Sequence, residues 1–235
     1  PLTSVIAFTE ILQEQEDDAT GERAHILGEI RQNAAILLSR INNILDVARL
    51  EAGKSELALQ VVDMADVVNS VEAALEPLAR TKGVVLSVEV ARNVPLITAD
   101  PDKARRVVEN LAGNAVKFTP AGGRIDIEAT FDETAGTVRV AVRDDGIGIE
   151  PADMAVIFDK FVQGDASASR RYNGSGLGLS LARELMELRG GTVEARSDPG
   201  AGSEFTAAFP VDAGRAVAEG DQEGEGRADG THTAG

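Results

Sequence analysis

A chain of 235 residues with a formal net charge of -16 presents an acidic surface that repels nucleic acid and anionic membranes, which argues against both as partners. It contains no cysteine, so disulfides and thiolate metal sites are excluded. The length allows one or two domains around a core made aliphatic by the scarcity of aromatic residues, and no apolar run approaches the roughly 20 residues that span a bilayer.

From Pro1 to Glu16 the apolar residues Leu2, Val5, Ile6, Phe8, Ile11 and Leu12 recur at helical spacing, and Asp17 to Gly21 is a polar break. Leu27, Ile30, Ala34, Leu37, Ile41, Ile44 and Ala48 then keep an a/d heptad until Glu51-Ala52-Gly53 ends the helix. The pattern predicts a helical hairpin over residues 1–53 with a coiled-coil seam, and hence a homodimeric bundle. Its arms are unequal. In an antiparallel hairpin turning near residue 19, Pro1 comes level with Leu37 and leaves Ile41, Ile44, Leu45 and Ala48 without a partner from the first arm. An apolar stripe is not normally left bare, so about four turns of that arm are expected upstream of Pro1.

Past Gly53, Leu57, Leu59 and Val61 alternate as a short strand, and Val67, Val68, Val71, Ala74, Leu75 and Leu78 mark an amphipathic helix ending near Gly83. Val84, Leu86, Val88 and Val90 alternate with Val85, Ser87 and Glu89 as a further strand. Asp100 as N-cap and Pro101 at the first helical position open a helix that runs to Pro120. Within it Val107, Leu111 and Ala115 stack on one side, and Asn110, Asn114 and Lys117 follow one another on another. One side packs, and the other offers two neutral carboxamides and a cation. A buried amide needs a polar partner; a carboxamide oxygen is a hard ligand suited to Mg²⁺, and Lys117 could neutralise phosphate. The alternative for this stretch alone is a surface helix with two ordinary asparagines.

Ile125, Ile127, Ala129 and Phe131 interleave with Arg124, Asp126, Glu128 and Thr130, and Val138, Val140 and Val142 with Arg139 and Arg143. A helix from Leu177 to Leu188 and strands from Thr192 to Arg196 and Ser203 to Phe209 complete the fold. Strands with one apolar face belong to a sheet covered on one side, so the class is α+β: a helical hairpin, then a two-layer α/β sandwich over residues 54–211 rather than a doubly wound parallel sheet. After Pro210, Asp212, Glu219, Asp221, Glu223, Glu225 and Asp229 oppose only Arg215 and Arg227, with hardly an apolar residue among them. Disorder is predicted for 212–235.

Two glycine-rich turns frame the chemistry. Asp144-Asp145-Gly146-Ile147-Gly148 follows a strand, and Gly174-Ser175-Gly176-Leu177-Gly178-Leu179 opens a helix, where backbone amides can approach an anion. Neither fits Gly-x4-Gly-Lys-Ser/Thr, so a P-loop is excluded. Between them Phe158 and Phe161 stand three apart and read as core, while Gln163 to Asn173, small, polar and carrying Arg170-Arg171, reads as a mobile lid. Asp145 alternates with Asp144 and is expected to be solvated.

In order and spacing, Asn110-x3-Asn114-x2-Lys117-Phe118, Asp144-x-Gly146-x-Gly148, Phe158-x2-Phe161 and Gly174-x-Gly176-x-Gly178 resemble the N, G1, F and G2 boxes of the sensor histidine kinases, members of the wider GHKL ATP-binding superfamily. The resemblance covers essentially all of residues 54–210, and the hairpin before it is similar to the family's dimerisation and phosphoacceptor domain. It implies ATP and Mg²⁺ as cofactors, with Asn114 as a metal ligand, Asn110 beside it on the phosphates, Lys117 on phosphate and Phe118 flanking the nucleotide. Asp144 would accept a hydrogen bond from the adenine amino group, which suits a carboxylate because it only accepts. Gly146 and Gly148 would let the backbone close on the base, and Gly174, Gly176, Leu177 and Gly178 would hinge the lid and bind phosphate. The implied activity is transfer of the γ-phosphate to a histidine, for relay to an aspartate on a response regulator receiver domain.

The amino end departs from the family. The family motif reads His-Glu-x-x-Thr-Pro-Leu, and this sequence opens at Pro1-Leu2-Thr3-Ser4. The phosphoacceptor histidine is therefore expected upstream, level with Asn42 and Asn43, and no catalytic residue is assigned within the chain. His25 takes an f position of the heptad without a following acid, and His232 lies in the tail, so this chain alone is expected not to label itself. A cytoplasmic location is expected, with membrane contact only through upstream segments. Two rival readings are ATP hydrolysis and a non-catalytic dimeric ATP-binding scaffold. The gyrase, mismatch-repair and chaperone members of the superfamily hydrolyse ATP with a glutamate one helical turn before the magnesium Asn; that position is Asn110 here, and Glu109 is turned about 100° away.

Overall fold

The structure, a computed structural model, describes residues 57–160, 162 and 176–211, with positions 5, 6, 9, 12, 26–30, 33, 34, 37, 38, 41 and 45 of the amino-terminal segment. Those amino-terminal positions are all helical, as the heptad predicts. Ala34 is buried, whereas Ile30, Leu37, Ile41 and Leu45 are exposed. At about 100° per residue these four fall in one stripe roughly 80° wide. The predicted turn at 17–21, and Ile44, Ala48 and His25, lie outside the described residues.

Strand β1 (Gln60–Val62) pairs antiparallel with β3 (Ile97–Ala99) as a two-stranded ribbon. The predicted alternation at β1 is out of step by one, because Val62 is 6 % exposed and Val61 60 %. Val62 faces inward because the chain turns at once into the fully buried Met64, the first residue of helix α1 (Met64–Lys82). Asp63 caps that helix by accepting the Ala65 N–H at 2.8 Å, and Gly83 (φ 73) ends it in the left-handed conformation that glycine tolerates. The inward position of its last turns is Ala79 rather than the predicted Leu78, which is exposed one residue further round, and Ala74 is exposed too.

The main sheet has five strands in the order β2-β4-β5-β7-β6. They are β2 (Val85–Val90), β4 (Arg124–Asp132), β5 (Thr137–Asp144), β6 (Thr192–Asp198) and β7 (Gly202–Pro210). Only β2 and β4 run parallel. Ile125, Ile127 and Ala129 of β4, Val138, Val140 and Val142 of β5, and Phe205, Ala207 and Phe209 of β7 share one core with the buried residues of α1, α2 (Pro101–Phe118) and α4 (Gly178–Glu187). The intervening residues form a charged outer face, where Arg143 bridges Glu128 at 2.5 Å and also pairs with Glu204. This is the one-sided cover that the alternating strands predict. The four-residue α3 (Pro151–Met154) follows β5.

Two devices place α2, on which the site depends. Asp100 Oδ1 accepts the Lys103 N–H at 3.1 Å, as the predicted N-cap should, and Oδ2 accepts the Ala58 N–H at 3.0 Å. One carboxylate thus ties the start of α2 to the chain entering from the amino-terminal segment.

Candidate functional site

Val107, Leu111 and Ala115 are each at most 1 % exposed and seat α2 in the core. Asn110, Asn114 and Lys117 are half-buried beside them. The Asn110 amide donates to its own helix, Nδ2 to the Arg106 carbonyl at 2.9 Å. Its Oδ1 lies against the start of α4, where a Cβ on Gly178 would come within 3.0 Å of it. A bare glycine is what lets the helix begin so close to the amide. The Asn114 side chain makes no hydrogen bond to the protein among the described residues. A half-buried carboxamide in that position needs a polar partner from elsewhere.

The far end of α2 meets the glycine turn after β5. Phe118 O accepts the Ile147 N–H at 3.4 Å, and a Cβ on Gly146 would lie 2.8 Å from that same carbonyl and 2.6 Å from Asp144 Oδ1. Gly148 (φ 68) is packed still more tightly, since its Cβ would stand 2.1 Å from the Asp198 carbonyl oxygen. Lys117 Nζ stands over the Phe118 ring, 4.6 Å from its centroid. The predicted phosphate cation and nucleotide-flanking ring are therefore one stacked pair at the end of the helix.

Asp144 ends β5 at only 9 % exposure. Its Oδ1 accepts the Gly146 N–H at 2.9 Å. Burial pushes its carboxyl above the usual aspartate range, and the charge of Asp145 adds to this, while the backbone N–H groups of Gly146 and Ser203 pull the other way. A carboxylate with two oxygens retains capacity to accept from a ligand. Asp145 is exposed, as predicted, but it is not idle: Oδ1 accepts the Arg124 backbone N–H at 2.7 Å and fixes the start of β4.

Sequence reasoning missed the turn before β7. Ser203 is paired with Asp144 across the sheet, and Gly202 (φ 94) presses so close that a Cβ would overlap the Asp144 carbonyl oxygen at 1.9 Å. The signal was present as Gly200-Ala201-Gly202-Ser203 ahead of a strand. Phe158 is partly buried, edge-on to Phe205 with centroids 6.5 Å apart, and packs on the core as expected. Gly176 takes φ 67, and Leu177 is 1 % exposed, so Leu177 can offer a ligand only its backbone. Gly174, Phe161 and the predicted lid at 163–173 lie outside the described residues. Among the described residues no group of three or more His, Cys, Asp or Glu could hold a metal ion. Any cation here would rely on the Asn114 oxygen, water and a ligand's own phosphates, a donor set that fits Mg²⁺.

Residues 1–53 match the His Kinase A (phospho-acceptor) domain, and residues 99–213 match the histidine kinase-, DNA gyrase B- and HSP90-like ATPases. An uncharacterized sensor-like histidine kinase of Rhizobium meliloti (strain 1021) is 37% identical over 222 residues, which is 92% of this chain and 41% of that protein. The sensor protein GacS of Pseudomonas syringae pv. syringae is 38% identical over 208 residues, 87% of this chain and 23% of its own length. The crystal structure of full-length ShkA in complex with AMPPNP superposes with a TM-score of 0.71 at 35% identity, covering 89% of this chain and 43% of that one. The chain thus spans less than half the length of the curated relatives it matches. With a phospho-acceptor domain followed by a GHKL-type ATPase domain, matched in that order by two family models and by these relatives, the chain belongs to the sensor histidine kinases.

Proposed function

We propose that the chain binds Mg-ATP between α2, the 144–148 turn and the amino end of α4, and directs its γ-phosphate to a histidine of the phospho-acceptor domain. The phosphoryl group then passes to an aspartate of a response regulator receiver domain. The observation that carries this reading is the half-buried Asn114 carboxamide, without a protein partner among the described residues, on the helix whose last turn packs against Gly146 and Ile147.

In this reading Asp144 accepts the adenine amino group, and Gly146 and Gly148, whose missing side chains let the turn pack on Phe118 and Asp198, bring the backbone close to the base. Asn114 holds the metal through its amide oxygen. Asn110 and Lys117 line the phosphate side with the glycines of 174–178, and Phe118 flanks the nucleotide. Bound Mg²⁺ supplies charge neutralisation and alignment of the phosphates. Hydrolysis fits less well, because Asn110 cannot act as a base and Glu109 is engaged on the outer face by Arg105 at 2.6 Å.

The working unit is a homodimer through residues 1–53, supported by the exposed stripe of Ile30, Leu37, Ile41 and Leu45. Residues 54–211 form the catalytic domain and 212–235 an acidic tail. The site is cytoplasmic, where ATP is; among the described residues no helix is long and apolar enough to cross a membrane. Neither His25 nor His232 lies in a His-Glu-x-x-Thr-Pro-Leu motif, so neither is proposed as the receiving histidine.

Labelling with γ-labelled ATP tests this. The chain should bind Mg-ATP without labelling itself, and should become labelled at histidine once a His-Glu-x-x-Thr segment is fused ahead of Pro1. Acid-labile label on the unextended chain, lost in His25→Gln, would refute the assignment of the acceptor.

A further inference from the structure

Helix α2 stops at Phe118, which leaves the carbonyls of its last turn without donors from their own helix. The sequence makes this sharper. The donor that would serve Val116 O is the backbone nitrogen of Pro120, which carries no hydrogen. The carbonyls of that turn are satisfied in three ways. Ala115 O accepts from the Thr119 N–H at 3.0 Å and the Thr119 hydroxyl at 2.7 Å, and Phe118 O accepts from Ile147. The two carbonyls between them are both taken by one side chain from another helix: Lys82 Nζ donates to Val116 O at 2.8 Å and to Lys117 O at 2.6 Å.

We propose that Lys82 is a positioning residue for the nucleotide site, holding the turn from which Lys117 and Phe118 project. Lys82 is the last residue of α1, and the Gly83 carbonyl accepts the Gly122 N–H at 2.7 Å, so the ends of the two helices are fastened side by side. An ammonium at the carbonyl end of a helix also opposes the macrodipole and makes the stronger, charge-assisted kind of hydrogen bond. Without it, two adjacent carbonyls lose their donor and the last turn is free to fray. The stacked Lys117–Phe118 pair sits on that turn. The effect on ligand binding would therefore pass through Lys117 and Phe118 rather than through contact with the nucleotide. This inference rests on the nucleotide reading given above.

The test is a double-mutant cycle on the full chain, with Mg-ATP binding followed by calorimetry and folding by circular dichroism. Lys82→Met, which keeps the stem and removes the donors, should weaken binding about tenfold. Lys82→Arg should stay within about twofold of wild type. In a Lys117→Ala/Phe118→Ala background, Lys82→Met should add less than about twofold, because both residues it positions are already gone. Unchanged affinity in folded Lys82→Met, or an equal loss in both backgrounds, would overturn the inference while leaving the site intact. Should Lys82→Met fail to fold, Lys82→Gln, whose shorter stem cannot reach both carbonyls, takes its place with the same two outcomes. A wild-type chain that does not bind Mg-ATP would remove the nucleotide reading and this inference with it.

Discussion

The Asp144 carboxylate accepts the backbone N–H of Gly146 at 2.9 Å, and the same glycine leaves no room beside that oxygen for a methyl group. The acceptor is thus held by a backbone that cannot carry a side chain there. Asp144→Asn puts an amide where an acceptor is needed, and should weaken Mg-ATP binding about ten- to a hundredfold with the fold retained. Because burial raises the Asp144 pKa, ionised Asp144 costs stability above its folded pKa, and that cost is relieved as pH falls through it. Mg-ATP affinity should fall over the same interval, above the usual aspartate range. Calorimetry across pH on wild type and Asp144→Asn checks this, and the variant should lack that step.

Gly148 and Gly136 make a matched pair. Both take positive φ, 68 and 62, but a Cβ on Gly148 meets the Asp198 carbonyl while one on Gly136 meets nothing within 4 Å. Gly136→Ala should cost about 1 kcal/mol through backbone strain alone. Gly148→Ala should cost at least about 3 kcal/mol, because backbone must move as well. Urea unfolding of the two variants measures the difference directly.

Asp100 titrates with the opposite sign from Asp144. Burial alone would raise its pKa, but the N–H groups of Lys103 and Ala58 and the Lys103 ammonium outweigh it, so the net direction is downward. Its stabilisation is present above the ordinary aspartate range and is lost as pH falls through the lower folded value. Asp100→Ala should cost about 1 to 2 kcal/mol at neutral pH. The gap from wild type in denaturant melts should close only in stronger acid than an ordinary aspartate requires.

How much was legible follows from how local each signal is. Strands β4 and β5 announce themselves by strict alternation, and α2 by its Asp100 cap and helical spacing, because those patterns depend only on neighbours in sequence. The inward face of β1 turned on how the chain enters the buried Met64, and β3, three residues long, is too short for any period to show. Asn110, Asn114, Asp144 and the glycines stand out as candidates through the order and spacing in which they resemble the family's boxes. What spacing could not give was partnership across the fold: Lys82 on the end of α2, Ser203 opposite Asp144, and Asp145 on the Arg124 amide.

The stripe of Ile30, Leu37, Ile41 and Leu45 should disappear into a dimer. Sedimentation of wild type should give twice the chain mass at micromolar concentrations. Ile41→Glu, which places a charge in the middle of the stripe, should shift the chain to monomer with its helix content largely kept. A monomeric wild type would remove the assignment of this face.

The central claim is that Asn114 answers a metal-bound nucleotide. Calorimetric titration of wild type and Asn114→Ala with ATP, each with and without Mg²⁺, tests it most directly. Wild type should bind with a clear dependence on Mg²⁺, and Asn114→Ala should lose that dependence together with about a hundredfold or more in affinity. Magnesium-dependent binding that survives unchanged in Asn114→Ala would contradict the account.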